Sequence, residues 1–284
     1  MRLADATPLT VISADSRQVF RRFDIGTAKP APAERARVPH VGIDIVDPDV
    51  RYSAAAWAED AIGWIAASHK AARTPVVVGG TGFYLRALTA PLFEEPPLDP
   101  NRRRRLLAGL DALATEELRR WCEALDPERA ALGRTQLLRA VEIALLTGAP
   151  ISRWHREMPR PPRARARYLV IDPGRMLATW IEQRVDAMLG GGWVEEVEEL
   201  MRTVDPAAPA WKATGYAAVR QMVEGRLTRE AARMRVIIAT RQYAKRQRTW
   251  FRHQLTGTDV TRVDPRGADA MDRVWLWWHQ RDDG

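Results

Sequence analysis

Residues 11–30 read V-I-S-A-D-S-R-Q-V-F-R-R-F-D-I-G-T-A-K-P, and the apolar run at their start stops abruptly at Asp15 and Ser16. Such a run is typical of a strand, and open α/β sheets bind their ligands beyond the carboxyl ends of their strands. Asp15 offers a carboxylate that can accept a proton, and Arg17 offers a fixed positive charge. Ser16 and Gln18 add neutral hydrogen-bonding groups. Because Asp and Ser are also good helix N-caps, these four residues alone indicate a binding site and a helix start about equally.

A second candidate site follows the next clear strand. Residues 75–78 read P-V-V-V and lead directly into G-G-T-G at 79–82. Four apolar residues in a row predict a parallel strand buried on both faces. The glycines let the backbone approach a ligand closely, and Thr81 adds a hydroxyl among exposed amides before a helix predicted over 83–88. The loop suits a phosphate oxygen, although a glycine pair after a strand is as often only a tight turn.

The elements between these two loops complete a fold pattern. Alternating residues over 41–48 predict a half-buried strand, and residues 54–72 predict a helix with Ser53 as its N-cap. Strands alternating with helices are typical of a doubly wound sheet. The sequence therefore predicts an α/β fold built on a parallel sheet.

The composition limits the class of protein and its partners. The 284 residues carry a formal net charge of +8, nearly all of it from arginine, and the sequence pI is about 10.2. A polyanion such as nucleic acid is an expected partner, although an arginine-rich solvated surface gives the same balance. The single cysteine, Cys122, excludes an internal disulfide. For that reason we expect a cytoplasmic protein, and we expect it to be a monomer. We expect no membrane contact, since no apolar run reaches the roughly 18 residues that span a bilayer and the start does not resemble a signal peptide.

Residues 240–252, T-R-Q-Y-A-K-R-Q-R-T-W-F-R, contain no acidic residue and predict a basic helix. At 3.6 residues per turn, one stripe is charged and consists of Arg241, Lys245, Arg248 and Arg252. A second stripe is expected to pack and consists of Val236, Ala239, Tyr243 and Trp250. A dense charge run is commonly just a solvated face, but solvated faces mix signs, so we expect the charged stripe to bind phosphates.

Shifts in composition predict the domain organisation. A proline-rich stretch followed by the basic run 102–105 indicates a domain edge. We predict an α/β core over 1–97, a mainly helical insertion over 98–160 and a return strand with helices over 161–255, followed by a tail over 256–284. Within these regions we expect helices over 106–132, 134–146 and 175–200, a strand over 168–171, and only helix after that strand. The Trp-rich tail is expected either to pack as a last helix or to contact RNA.

Several blocks, in the same order along the chain, resemble the signature of the tRNA dimethylallyltransferases, also called tRNA isopentenyltransferases. They are D-S-R-Q-V-F with F-D-I-G-T-A-K-P after residue 14, G-G-T-x-x-Y ending at Tyr84, K-A-T-G-Y over 212–216 with a glycine at 225, and T-R-x-Y-A-K-R-Q-x-T-W-F-R over 240–252. The resemblance covers residues 11–252. It implies a P-loop NTPase-like, nucleotide-binding α/β core that binds dimethylallyl diphosphate and Mg²⁺. In that family N6 of the adenine 3′ of the anticodon, position 37, displaces pyrophosphate.

The resemblance also implies roles for particular residues. Asp15 is the expected general base, Thr81 is expected near the bridging phosphate oxygen, and Arg184 is a candidate for the diphosphate, with a surface salt bridge as an equal alternative. The expected RNA contacts are Asp15, Ser16, Arg17, Gln18, Arg103, Gln136, Arg139, Lys212, Gly215, Tyr216, Arg241, Lys245, Arg246, Gln247, Arg248, Trp250 and Arg252. The residues that bind the metal cannot be named from the sequence.

One family feature is absent from the sequence. No G-x-x-x-x-G-K-[ST] loop, which cradles phosphates with its amides and lysine, occurs in the 284 residues. We expect a strand, this loop and most of a helix, about 20–25 residues, to precede Met1 in the complete protein. Without them the chain is expected to bind tRNA without saturable transfer. Two alternatives stay open: another P-loop-fold transferase or kinase, which predicts no basic stripe, and a catalytically dead RNA-binding remnant.

Overall fold

The computed structural model describes residues 2–90, 92–93, 98–157 and 159–280, which form two units. The core unit consists of Met1–Thr89 and Ala164–Gly284, and the helical unit consists of Ala90–Arg163. Residues 91 and 94–97, where the sequence predicts a proline-rich domain edge, lie outside the described residues, as do residues 281–284 of the predicted tail. The domain boundaries predicted from composition stay a prediction.

A three-stranded parallel sheet lies at the centre of the core unit. Its strands are β1 (Leu9–Ser13), β2 (His40–Val41) and β3 (Thr74–Val78), in the order β2-β1-β3. The register pairs Ser13 with Val78, so the loops that follow β1 and β3 begin side by side. Helix α3 (Ala54–Lys70) covers the sheet, and the indole of Trp57 donates to the carbonyl of Ser13 at 2.9 Å. The predicted α/β fold with a parallel sheet is confirmed.

Two details of the predicted sheet are wrong. The strand predicted over 41–48 ends at Val41, because Gly42 (φ 81°) and Asp44 (φ 57°) adopt left-handed conformations that interrupt the ladder. The strand predicted to be buried on both faces is partly exposed, and Val78 is 51% exposed. Within the described part of the chain β3 pairs with β1 alone, which makes it an edge strand.

The rest of the core unit is mainly helical. Glycine, proline and N-cap residues set many of the helix ends, and the helices are α1 (Arg2–Ala6), α2 (Pro32–Arg37), α4 (Gly82–Thr89), α9 (Leu177–Gly190), α10 (Trp193–Thr203), α11 (Tyr216–Val223), α12 (Arg229–Gln254) and α13 (Ala270–His279). The single helix predicted over 175–200 is therefore two, because the chain turns at Gly191 and Gly192 (φ 98°). The predicted basic helix forms the second half of α12.

The core unit also contains a second, two-stranded sheet. Strand β6 (Tyr168–Ile171) has the predicted bounds, and it pairs in parallel with β7 (Val260–Val263). The expectation that only helices follow residue 171 is therefore wrong. The short segment V-T-R-V forms strand β7 because it pairs with β6, which is distant in sequence. The tail packs as a helix: the indole of Trp278 lies 3.3 Å from Thr7 Oγ1, and Arg167 donates to the carbonyl of Trp277.

The helical unit has its own hydrophobic core. Its elements are β4 (Leu92–Phe93), α5 (Pro100–Asp111), α6 (Thr115–Leu125), α7 (Arg134–Thr147), α8 (Ile151–Glu157) and β5 (Pro159–Arg160), with β4 and β5 antiparallel. The predicted helix over 134–146 is thus confirmed as α7, and the helix predicted over 106–132 is split between α5 and α6. Leu118, Cys122 and Leu137 are fully buried in this core. No helix among the described residues has the length and apolar character needed to cross a membrane.

Candidate active site

The loops after β1 and β3 are joined by hydrogen bonds. The amide of Ser16 donates to Thr81 Oγ1 at 3.0 Å, and the amide of Thr81 donates to the carbonyl of Ala14 at 3.1 Å. The hydroxyls of Thr81 and Ser16 lie 3.4 Å apart. A Cβ at Gly79 would overlap the Ala14 backbone, so glycine is required for this close approach. The structure therefore brings Asp15, Ser16 and Thr81, all predicted site residues, to one place.

The Asp15 carboxyl is partly buried beside these loops. Its Oδ1 accepts a hydrogen bond from the amide of Arg17 at 2.8 Å. Burial raises the pKa of Asp15 above its ordinary value, and the backbone amides of Arg17 and Gln18 and the charge of Arg17 only partly oppose this effect. A carboxylate with a raised pKa is a stronger proton acceptor. The geometry and the pKa thus suit a general base.

Asp15 opens onto a cleft that combines charge with an apolar wall. Arg17 and Arg184 contribute two guanidinium groups to the cleft. The other lining residues come from the loop after β1 and from the helices around it, and they are Gly26, Thr27, Ala28, Ile181, Val185, Met188, Trp193, Ala213, Thr214, Val236, Thr240 and Tyr243. Two cationic groups and an apolar wall can hold an anion that carries a hydrocarbon group.

Helix α12 packs directly on the glycine loop. The amide Nε2 of Gln247 donates to the carbonyl of Gly80 at 2.9 Å, and a Cβ at Gly80 would overlap Gln247. A Cβ at Gly82 would overlap the ring of Trp250. Gln247 and Trp250, predicted as RNA contacts, therefore also shape the loop that holds Thr81.

Sequence reasoning missed Tyr243 as a site residue and placed it only on the packing face. Its side chain lies close to those of Thr81 and Gln247, and it lines the cleft. Thr240, Tyr243 and Gln247 are spaced three and four apart, so they share one face of α12. That spacing of three polar residues inside the expected packing face is the signal that could have identified it.

Gln18 is turned into the protein. Its Oε1 accepts from the hydroxyl of Ser13 at 2.9 Å, and its Nε2 donates to the carbonyls of Thr27 at 3.2 Å and Ala28 at 3.0 Å. Ala28 has a left-handed conformation (φ 52°). The Gln18 side chain, a predicted RNA contact, thus supports the turn that forms one side of the cleft.

The predicted contacts near residue 215 support the same turn from its other side. Tyr216 is fully buried, and its hydroxyl donates to Glu196 Oε1 at 2.6 Å. The other oxygen of Glu196 accepts from the amides of Asp24 at 3.0 Å and Ile25 at 2.7 Å. Gly215 has a φ of 94° and faces the ring of Trp193, and Lys212 is exposed.

The charged stripe of α12 is only partly available to a ligand. Arg241 is paired with Glu182, and Arg248 lies 3.0 Å from Asp172. The 240–252 segment lacks acidic residues, but α9 and the end of β6 supply them. Arg246 lies over the Tyr243 ring, with 5.7 Å between its Cζ and the ring centroid. Lys245 and Arg252 are exposed and have no ion-pair partner within the described part of the chain.

Three predicted RNA contacts lie in the helical unit. Arg103 Nε donates to Glu142 Oε1 at 2.6 Å, and Arg139 is paired with the other oxygen of the same carboxylate. Glu142 is 1% exposed, so one buried carboxylate holds both guanidinium groups. The side chain of Gln136 accepts from the amide of Gly133 at 3.2 Å at the start of α7.

The chain is similar to proteins of one family over most of its length. The model of the IPP transferase family matches residues 18–254. A tRNA dimethylallyltransferase from Thermus thermophilus is 40% identical over 98% of this chain and 93% of its own length. Another tRNA dimethylallyltransferase, from Halorhodospira halophila, is 40% identical over 96% of this chain and 91% of its own length.

Solved structures give the same result. The tRNA isopentenylpyrophosphate transferase of Bacillus halodurans is 31% identical, with a TM-score of 0.65 over 97% of this chain and 88% of that chain. A eukaryotic dimethylallyltransferase acting on tRNA has a TM-score of 0.76 at 24% identity, over 99% of this chain and 76% of that chain, which supports the fold. As its sequence blocks predict, the chain belongs to the IPP transferase family, that of the tRNA dimethylallyltransferases.

Proposed function

We propose that this chain is a prenyltransferase that moves a dimethylallyl group from dimethylallyl diphosphate to N6 of the adenine 3′ of the anticodon in tRNA. The observation that carries the proposal is the partly buried Asp15, whose raised pKa suits a base, in a cleft that also contains Arg17 and Arg184. The relatives named above are tRNA dimethylallyltransferases, and no finding favours a kinase or an RNA-binding remnant.

The reaction can be assigned to residues of the cleft and of the glycine loop. The adenine N6 attacks the first carbon of the allyl group while the Asp15 carboxylate accepts a proton from N6. A carbon–nitrogen bond forms, and the carbon–oxygen bond to the diphosphate breaks, so pyrophosphate leaves with the electron pair. Thr81 donates its hydroxyl proton in a hydrogen bond to the bridging oxygen, and Arg184 faces the diphosphate charge. Ile181, Val185 and Met188 provide the apolar wall for the dimethylallyl group.

The loops after β1 and β3 also offer ligands that suit Mg²⁺. This ion prefers oxygen ligands and takes many of them from substrate phosphates and water. Among the described residues no cluster of three or more His, Cys, Asp or Glu side chains could hold a metal on its own. The neighbouring hydroxyls of Ser16 and Thr81 would bind an Mg²⁺ ion shared with the diphosphate. Bound there, the ion would neutralise charge on the leaving pyrophosphate.

The tRNA is proposed to contact both units. In the core unit the exposed cations Lys245, Arg246 and Arg252 face a phosphate backbone, as the charge of the chain predicts. In the helical unit Arg103 and Arg139 are held by a buried carboxylate, which limits their rotamers. We propose that the protein acts as a monomer, and in the cytoplasm because its tRNA substrate is there.

A transfer assay tests the proposal. An anticodon stem-loop with adenine at the target position is incubated with labelled dimethylallyl diphosphate and Mg²⁺, beside a stem-loop with guanine there. Two forms are compared, the 284 residues and the same residues preceded by a strand and a G-x-x-x-x-G-K-[ST] loop. We expect label only in the adenine RNA, and Asp15→Asn to lower turnover by about 10²–10⁴ with RNA affinity near normal. Absence of transfer by both forms when folded, or full turnover by the Asn variant, would contradict the assignment.

A further inference from the structure

The peptide group between Gly80 and Thr81 is held at both of its polar ends. Its carbonyl, that of Gly80, accepts from Nε2 of Gln247 at 2.9 Å. Its amide, that of Thr81, donates to the carbonyl of Ala14 at 3.1 Å, on the loop after β1. A peptide group is planar, so fixing its oxygen and its N–H fixes the orientation of the whole group. Helix α12 and the loop after β1 therefore hold one peptide from its two ends.

Glycine makes this peptide easy to rotate. Gly80 has no Cβ to restrict its backbone, so the adjoining peptide can turn over with little steric cost. Such a rotation would take the Thr81 amide away from the carbonyl of Ala14. The Thr81 hydroxyl, which accepts from the amide of Ser16 at 3.0 Å, would move with it. The hydrogen bond from Gln247 opposes this rotation at the carbonyl end.

Helix α12 fits closely against both glycines that flank Thr81. A Cβ built on Gly80 would overlap Nε2 of Gln247, and the next two nearest atoms also belong to Gln247. A Cβ built on Gly82 would overlap the ring of Trp250. Gln247 and Trp250 are three residues apart, so they share a face of the helix. These two residues, which the sequence resemblance assigns to RNA, thus face the glycine loop.

From this geometry we infer that Gln247 is a positioning residue that fixes the orientation of the Gly80–Thr81 peptide, and with it the place of the Thr81 hydroxyl, and that it is not an RNA contact. In this role Gln247 touches neither substrate and acts through the glycine loop. Its effect on turnover rests on the proposed function, in which Thr81 bonds the bridging oxygen. Its effect on the peptide does not.

Amide exchange tests the inference without turnover. In Gln247→Ala the carbonyl of Gly80 loses its donor, and we expect the Thr81 amide to exchange about 3- to 10-fold faster, the effect of one hydrogen bond. The matched control is Gln242→Ala, because Gln242 is exposed on the same helix, and it should leave Thr81 exchange and kcat unchanged. Unchanged Thr81 exchange in Gln247→Ala, or equal acceleration in both variants, would overturn the inference.

A second variant, Gly80→Ala, removes the same hydrogen bond from the other side. Its new Cβ takes the place of the Gln247 amide, and the φ of Gly80 lies outside the left-handed region, so alanine can adopt the backbone conformation. Because each single variant loses the same contact, Thr81 exchange in the double variant should lie within about twofold of either single one. An acceleration equal to the product of the two single effects would show that Gly80 and Gln247 act independently, against the inference.

Kinetics and RNA binding separate this positioning role from a contact with RNA. In the form of the protein that shows transfer, we expect Gln247→Ala to lower kcat about 3- to 10-fold, since the Thr81 hydroxyl is no longer held in place. The Kd for the anticodon stem-loop should change less than twofold. A weaker Kd with unchanged kcat at saturating RNA would make Gln247 an RNA contact and overturn the inference. If the unchanged protein shows no transfer, the proposed function fails, and Thr81 exchange still decides the role of Gln247.

Discussion

Asp15 shows how one side chain can be both a turn-forming group and a base. Its Oδ1 accepts from the Arg17 amide in a local turn, a cap-like contact at a point where no helix begins. Burial nevertheless raises its pKa, and a cap residue in water would show the opposite shift because amide donors stabilise the charged form. The balance between burial and local hydrogen bonds therefore sets the pKa of Asp15, and with it the pH range in which Asp15 can accept a proton.

The pH dependence of kcat/KM should report this balance. Asp15 works as a base only when ionised, so we expect activity to be lost as the pH falls through a pKa higher than the ordinary aspartate pKa of 3.8. The Arg17 charge lowers that pKa. Arg17→Gln should therefore move the acidic limb to higher pH, while Arg86→Gln, on α4 and outside the cleft lining, should leave it in place. An acidic limb at the ordinary carboxyl pKa would argue against Asp15 as the base.

The buried side chain of Lys29 stabilises the chain segment that follows Asp15. Its side chain is 2% exposed, and its Nζ donates to the carbonyl of Phe20 at 2.6 Å and to Asp24 and Asp44 at 2.5 Å each. Lys29→Met keeps the length of the side chain but leaves these acceptors without their donor. We expect the free energy of unfolding to fall by about 1–3 kcal/mol in urea denaturation. Lys70→Met, at an exposed position on α3, should change it by less than about 0.5 kcal/mol.

The same variant should change the acid side of the stability curve. Burial pushes the pKa of Asp44 up, but hydrogen bonds and charges from Lys29 and Arg35 outweigh it, so the pKa lies below its ordinary value. A lowered carboxyl pKa adds stability above the unfolded pKa, and that stability is lost as the pH falls towards the folded pKa. Removing Lys29 should reduce this acid-dependent loss. If the free energy of unfolding falls equally with acid in the unchanged protein and in Lys29→Met, Arg35 alone sets the Asp44 pKa.

Helix α12 divides its cations into two kinds. Arg241 and Arg248 are paired with carboxylates from other elements, whereas Lys245 and Arg252 have no such partner in the region that the structure describes. A paired guanidinium must exchange its carboxylate for a phosphate, so it gains less from RNA. The stripe is therefore uneven in its expected contribution to binding.

Salt-dependent RNA binding should separate these two kinds. Lys245→Ala and Arg252→Ala should each weaken binding to different tRNAs alike and reduce the slope of log K against log salt by about one. Arg248→Ala should reduce it by less. Arg233→Ala, on the first half of α12 and paired with Asp186 at 2.5 Å, is the control with no expected change. Equal slopes in all four variants would make the stripe a solvated surface.

Local patterns explain which elements could be predicted. Strand β1, helix α7 and the basic half of α12 follow from apolar periodicity and end signals, which are properties of neighbouring residues. The pairing of β6 with β7 and the hydrogen bond of Gln247 to Gly80 depend on partners far along the chain. Tyr216 shows the same limit. Its family block predicts that it is a site residue, but its contact with Glu196 could not be predicted from neighbouring residues. The place of the candidate site, after β1 and β3, was therefore predictable, and its supporting contacts were not.

The two units differ in how the chain enters and leaves them. The helical unit is one continuous segment, while the core unit is built from the segments before and after it. The amide of Ala164 donates to the carbonyl of Leu88 at 3.0 Å, so the two ends of the core unit at the insertion lie next to each other. Insertions whose ends are adjacent in the host can be removed with little loss of loop-closure entropy.

Removing the helical unit tests this organisation. We expect the core unit to fold when residues 90–163 are replaced by a linker of about five Gly and Ser residues, which spans the short gap easily. The apolar core of the helical unit is formed by its own residues, including Leu118 and Leu137, so the shortened protein should retain helical circular dichroism and a cooperative thermal transition. Its RNA binding should weaken and its salt slope should fall because Arg103 and Arg139 are lost, although their pairing with Glu142 makes each contribution less than one. A loss of cooperative unfolding would show that the core unit needs the insertion. An unchanged salt slope would show that Arg103 and Arg139 do not contact the RNA.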